Sequence, residues 1–74
     1  MKGKQNLVGP QIMALRRRLG LSQEELAAKC GVLGWDMSRG TLAKIESQVR
    51  CVSDKEILIL AKALKVKLEA LYTV

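Results

Sequence analysis

Apolar residues return along this chain every three or four positions, the spacing that places them on one face of an α-helix. Ile12, Leu15 and Leu19 recur in this way after Gly9-Pro10. Proline suits the first helical turn, where its missing N–H would have had no partner, and Gly20 follows as a stop signal. A second stripe of Leu26, Cys30 and Leu33, with Ala27 adjacent, follows Ser22-Gln23-Glu24-Glu25. There Ser22 can cap the amide of Glu25 while Glu25 reaches back, with Leu21 and Leu26 as a hydrophobic staple. This helix ends at Gly31 or, as the stripe favours, runs on to Leu33 with Gly34 as its terminal glycine. Ser38 is an N-cap for a third helix. On it Leu42, Ile45, Glu46 and Val49 share a face, while Arg39, Gly40, Thr41 and Lys44 lie off that face. Ser53-Asp54-Lys55-Glu56 repeats the capping box, with Val52 and Ile57 as the staple pair. Ile57, Leu60, Ala61 and Leu64 then form an inner stripe, widened by Leu58 and Ile59 as in a central helix. Lys65-Val66-Lys67 interrupts the pattern, and Leu68, Ala70, Leu71 and Tyr72 make a short last helix. The expectation is an all-α domain of five short helices.

Composition narrows what such a domain does. A chain of 74 residues is one domain with a modest core. Residues 1–8, which include Lys2 and Lys4, read as a flexible basic arm, and residues 9–74 as the folded unit. There is no His, and the two cysteines are too few for a structural zinc site, so no metal or cofactor is expected. No nucleophile–base pair is visible either, which argues against an enzyme. Trp35 and Tyr72 are the only aromatics, which argues against a surface that stacks bases. The chain shows no signal-peptide pattern and no apolar run of membrane-spanning length, which points to the cytoplasm and free thiols, with Cys30 in the core. Thirteen Lys and Arg against seven Asp and Glu leave a net charge of +6. Nine basic and four acidic residues fall in residues 1–50, so the excess there is +5. This bias suggests a polyanion as partner, and its spread over all helices disfavours a membrane surface.

Leu15-Arg16-Arg17-Arg18-Leu19-Gly20-Leu21-Ser22-Gln23-Glu24-Glu25-Leu26-Ala27 resembles the opening of the Cro/repressor-type helix-turn-helix family. Ser38-Arg39-Gly40-Thr41-Leu42-Ala43-Lys44-Ile45-Glu46 resembles its recognition helix, and residues 53–71 resemble its closing helices. The resemblance spans residues 9–72. It departs from the family pattern at Leu33-Gly34-Trp35-Asp36-Met37, an expanded turn shared with a subset of the family. It departs again where Ser47-Gln48 replaces a glycine, and where Lys65 and Lys67 replace Gly and Ser.

The resemblance implies a five-helix, lambda-repressor-like domain that binds double-stranded DNA sequence-specifically. It implies a small transcriptional regulator, chiefly a repressor acting by operator occupancy, working as a homodimer at least on DNA and on a palindromic operator. The family also offers an antitoxin or a protein-interaction adaptor as alternatives. By resemblance, Arg39, Gly40, Thr41 and Lys44 meet bases, because the start of the second motif helix enters the major groove. Gln23, Ser38, Arg50 and Lys55 are the phosphate-contact candidates, and Arg16 is expected to pair with Glu46 as a structural ion pair. Arg17 and Arg18 read as mainly solvated. Leu68, Leu71, Tyr72 and Val74 are candidates for a dimer contact. Trp35 is either a plug filling the expanded turn or a contact for DNA or a protein partner.

Overall fold

Helix starts and stops in this protein follow local signals in the chain. The computed structural model describes residues 4–72. It contains α1 (Gly9–Arg18), α2 (Gln23–Val32), α3 (Arg39–Glu46), α4 (Asp54–Leu64) and a closing 3-10 turn (Leu68–Leu71), with no strand among the described residues. The fifth helix of the expectation is thus a single 3-10 turn. Ser22 and Ser53 each accept the N–H of the residue three further on, Glu25 and Glu56, whose carboxylates take the serine N–H in return. Two otherwise orphaned donors at each helix start are satisfied in this way.

All four helices close with the same pair of backbone bonds, one spanning five residues and one spanning three. Leu21 N–H donates to Arg16 O, Trp35 to Cys30 O, Val49 to Lys44 O and Val66 to Ala61 O. Gly20, Gly34, Gln48 and Lys65 donate to the carbonyls three residues back. This Schellman arrangement requires a left-handed residue just past the helix. Gly20 (φ 72) and Gly34 (φ 103) supply it cheaply, whereas Gln48 (φ 67) and Lys65 (φ 58) carry a Cβ in that region. The two departures from the family pattern therefore keep the turn and bear its steric cost.

The core gathers Ile12 and Leu15 of α1, Leu26, Ala27 and Cys30 of α2, and Leu42 and Ile45 of α3. Ile57, Leu60, Ala61, Ala63 and Leu64 of α4 complete it, with Leu71 beneath. α4 is the central helix, packed on α1, α2 and the closing turn, while α3 lies across α1 and α2. Three expected core residues are not there: Leu19, Leu33 and Val49 are 49%, 43% and 63% exposed. Leu19 and Leu33 are the C-cap residues of α1 and α2, and Val49 follows the left-handed Gln48, which has turned the chain off the stripe before it. α2 does pass Gly31 and reach Val32, with Gly34 as its terminal glycine. Met37 is buried in the expanded turn, and Trp35 is half-buried against the core.

The folded unit also begins earlier than Gly9. Gln5 N–H donates to Gln48 O (3.0 Å), and Gln48 Nε2 donates to Asn6 O (3.0 Å). Asn6 Nδ2 donates to Ile45 O (3.1 Å) and Arg50 O (2.8 Å), and Val8 is buried. The part of the expected arm from Gln5 to Val8 is thus docked. Lys4 is exposed, and Lys2 lies outside the described residues. No helix among the described residues is long and apolar enough to cross a membrane.

Candidate nucleic-acid interface

α3 has an inner face of Leu42, Ile45 and Glu46 and an outer face formed at its start. Arg39 and Gly40 are exposed there and Thr41 is half-buried, whereas Lys44, expected near the start, is exposed in the last turn of this eight-residue helix. Ser38 Oγ accepts the N–H of Thr41 (3.1 Å) and donates its own hydrogen to Thr41 Oγ1 (3.1 Å). The Ser38 hydroxyl, expected at a phosphate, is occupied as a helix cap. Thr41 keeps its hydroxyl hydrogen as a donor.

The other end of α3 is tied to the rest of the molecule through Glu46. Arg16 Nε donates to Glu46 Oε2 (2.6 Å) and Arg16 Nη2 to Oε1 (3.1 Å), with Arg16 and Glu46 only 8% and 5% exposed. Arg16 Nη1 also reaches Leu21 O (2.8 Å), and Gln23 Nε2 donates to Glu46 Oε1 (3.0 Å). The hydrogen bond to Glu46 holds the Arg16 pKa above its ordinary value, against the opposing pull of burial. A carboxylate at a helix C-terminus is unfavourable to the macrodipole, and the forked guanidinium offsets it. Four elements of chain meet here: α1, its closing turn, the start of α2 and the end of α3. Gln23 spends one amide hydrogen on this network, so it is first a structural residue and only secondarily a phosphate candidate.

Arg50, a phosphate-contact candidate, has partners within its own chain. It forms a two-bond pair with Glu56 (3.0 and 3.1 Å), donates to Cys51 O (2.8 Å), and lies 5.8 Å from the centroid of the Trp35 ring. The hydrogen bond to Arg50 is the main reason the Glu56 carboxyl titrates below its usual range. The capping-box carboxylate of α4 has captured the guanidinium that was expected at a phosphate. This arrangement also closes over Trp35, which plugs the expanded turn. Lys55, on the first turn of α4, is exposed.

The expected dimer residues separate. Leu71 is fully buried in the core of its own chain, because the closing turn rolls it under α4. Leu68 and Tyr72 are 40% and 50% exposed, and Val74 lies outside the described residues. Among the described residues no cluster of His, Cys, Asp or Glu has the makings of a metal site.

Asn6 and Gly9 are structural residues of the site that the helical pattern missed. Asn6 Oδ1 accepts the Gly9 N–H (2.8 Å) while its amide holds the end of α3. Asn three residues ahead of a helix start is a capping spacing, and that signal was present in the chain.

A family model described as helix-turn-helix matches residues 12–71. A comparison with curated protein sequences found no match. Among solved structures, the chain is similar to the restriction-modification controller protein C.AhdI from Aeromonas hydrophila. The two are 37% identical, the likeness covers 88% of this chain and 94% of that one, and the TM-score is 0.77.

Proposed function

The chain belongs to the helix-turn-helix family, of the Cro/C1 type, whose members are DNA-binding regulators, and from that premise we propose that it is a sequence-specific repressor acting by operator occupancy in the cytoplasm. The observation that carries this reading is the start of α3. Arg39 stands exposed there beside Gly40 and Thr41, and Lys44 is exposed in the last turn, where the helix is clamped through Glu46. In this motif the first residues of the second helix meet base edges in the major groove. Arg39 then reads a guanine through O6 and N7, Thr41 offers its hydroxyl or methyl, and Lys44 meets a base or phosphate. Gly40 lets the helix approach closely. Lys55 and the second amide hydrogen of Gln23 remain as phosphate contacts. Two copies on a palindromic operator, joined through Leu68 and Tyr72, supply the affinity that one small module lacks. The likeness to a restriction-modification controller supports a controller of transcription over the antitoxin or adaptor alternative. Of the two features that favour that alternative, the expanded turn and Trp35, the second is half-buried beside Arg50.

The test is selection of bound duplexes from a random library. A palindromic consensus is expected, and the absence of any enriched sequence overturns the reading. On the selected operator, Arg39→Ala should lose about 1–3 kcal/mol of discrimination at one base position. A plot of log K against log[salt] with no slope would exclude DNA as the partner.

A further inference from the structure

An apolar groove runs between the C-terminal ends of α2 and α4, and no residue of α3 lines it. Buried Ala63 lies at its base, Val32 and Leu33 stand exposed beside it, and Lys29, Lys62 and Lys65 complete the lining of an open hollow of about 270 Å³. A second hollow of about 200 Å³ shares Lys29, Ala63 and Lys65 and adds Leu19 and Leu21. The two hollows form one continuous surface. Val32 is 88% exposed, more than any other large hydrophobic residue described. Exposed aliphatic side chains grouped in a concave surface mark an interaction site more often than scattered ones do.

We propose that this groove docks an acidic amphipathic segment of a partner protein, an apolar stripe seated on Val32, Leu33 and Ala63 with carboxylates against Lys29, Lys62 and Lys65. The argument is one of charge. No acidic side chain lines either hollow, and every charged residue that does is a lysine. Lys29 also feels Glu25 one turn earlier on α2, which leaves the rim net positive. A second copy is a poor occupant, because a two-fold axis through the groove would set three lysines against the same three. DNA is poorly matched too, since a phosphate backbone offers nothing to aliphatic side chains. A helix bearing leucines at i, i+3, i+4 and i+7 with glutamates between satisfies both features. Such a segment could be held while α3 occupies DNA.

The experiment uses the whole chain, isotope-labelled for residue-resolved chemical-shift titration. The probes are two synthetic amphipathic peptides with the same leucine stripe, one with glutamates between and one with lysines. The expected result is binding of the glutamate peptide only, with shifts centred on Val32, Leu33 and Ala63. Affinity should fall roughly tenfold or more in Val32→Asp and in Lys62→Glu, with operator binding unchanged. Val32 is so exposed that its replacement leaves the core intact, and a thermal melt of each variant checks this. The proposal fails if neither peptide binds, if both bind alike, or if the shifts centre on Arg39 and Lys44. It fails equally if the chain sediments as a dimer that Val32→Asp converts to a monomer.

Discussion

Replacing Gly9 with alanine tests whether the first turn of α1 and the end of α3 are in contact as closely as the structure requires. A Cβ at position 9 would lie 2.3 Å from Ile45 O, 2.9 Å from Glu46 O and 3.0 Å from Gln48 Cγ. The first two are backbone atoms in the last turn of α3 and cannot rotate aside. An ordinary carbon–oxygen contact is about 3.3 Å or more, so the two helices must part by about 1 Å. That displacement strains the bonds through which Asn6 joins them, from Gly9 N–H to Oδ1 (2.8 Å) and from Nδ2 to Ile45 O (3.1 Å). Overpacking costs about 1–3 kcal/mol and each weakened hydrogen bond up to about 1 kcal/mol. Against this, alanine gains at most about 1 kcal/mol of helix propensity, and less than that in a first turn. The net expectation is a loss of roughly 1–3 kcal/mol. In a domain of this size that lowers Tm by about 5–20 °C. Thermal and denaturant unfolding followed by circular dichroism measure it, with the denaturant slope unchanged. A variant as stable as the parent, or more stable, would refute the contact and the strap geometry built on it.

Other outcomes follow from single residues. Lys65→Gly removes a Cβ from a left-handed, exposed position (φ 58) and should stabilise by about 1 kcal/mol. Gln48→Gly should gain less, because the Gln48 bond to Asn6 O is lost, and no difference between the two in a melt would count against this account. Glu56 has a folded-state pKa below its unfolded value of about 4.3, so its stabilisation is complete above that pH and is lost as pH falls through the folded value. Glu56→Gln should therefore flatten the acid limb of a stability–pH profile, and an unchanged limb would show that the Arg50 pair does not form in solution. Burial pushes the Cys30 thiol up to about 11, while Cys51 is exposed. An aromatic disulfide reagent at neutral pH should titrate one thiol in the native chain and two after denaturation, and two fast thiols at the outset would contradict the core.

The helix starts were legible in the chain because capping is local. Ser22, Ser38 and Ser53 sit where a side-chain oxygen finds an amide three residues on, and no tertiary contact is needed to decide it. Interior stripe positions were legible for the same reason. The residues that went astray stand at helix ends or in connections, where direction depends on the turn. Val49 continues the spacing of Leu42 and Ile45 in sequence, yet Gln48 has already turned the chain when it arrives. The internal partner of Arg50 was hidden for the same reason. Whether a basic residue in a connection faces a phosphate or an internal carboxylate depends on where the next helix starts in space. Leu71 was recognisably apolar, but one 3-10 turn decides whether it faces the core or a partner.

The arrangement around α3 ties the expanded turn to the charge of the chain. Lengthening the connection between α2 and α3 loosens the hold on α3 at its leading end. Three features offset that freedom: Met37 buried beneath the turn, Trp35 wedged against the core, and Arg50 closing over the indole. At the trailing end, Glu46 and the Ile45 carbonyl are bonded to three other segments of chain. Helix position is thus secured by two arginines that a count of charge would have assigned to DNA. Of thirteen basic residues, Arg16 and Arg50 are spent internally. If Lys44, Lys55 and one of Arg17 or Arg18 are the phosphate contacts of each copy, the salt slope is about −0.9 per contact, near −3 for one copy. So few contacts give a single domain weak affinity at physiological salt. Specific binding at useful concentrations then requires two copies on one duplex, and a measured slope of about twice that value at the selected operator is the signature of the pair.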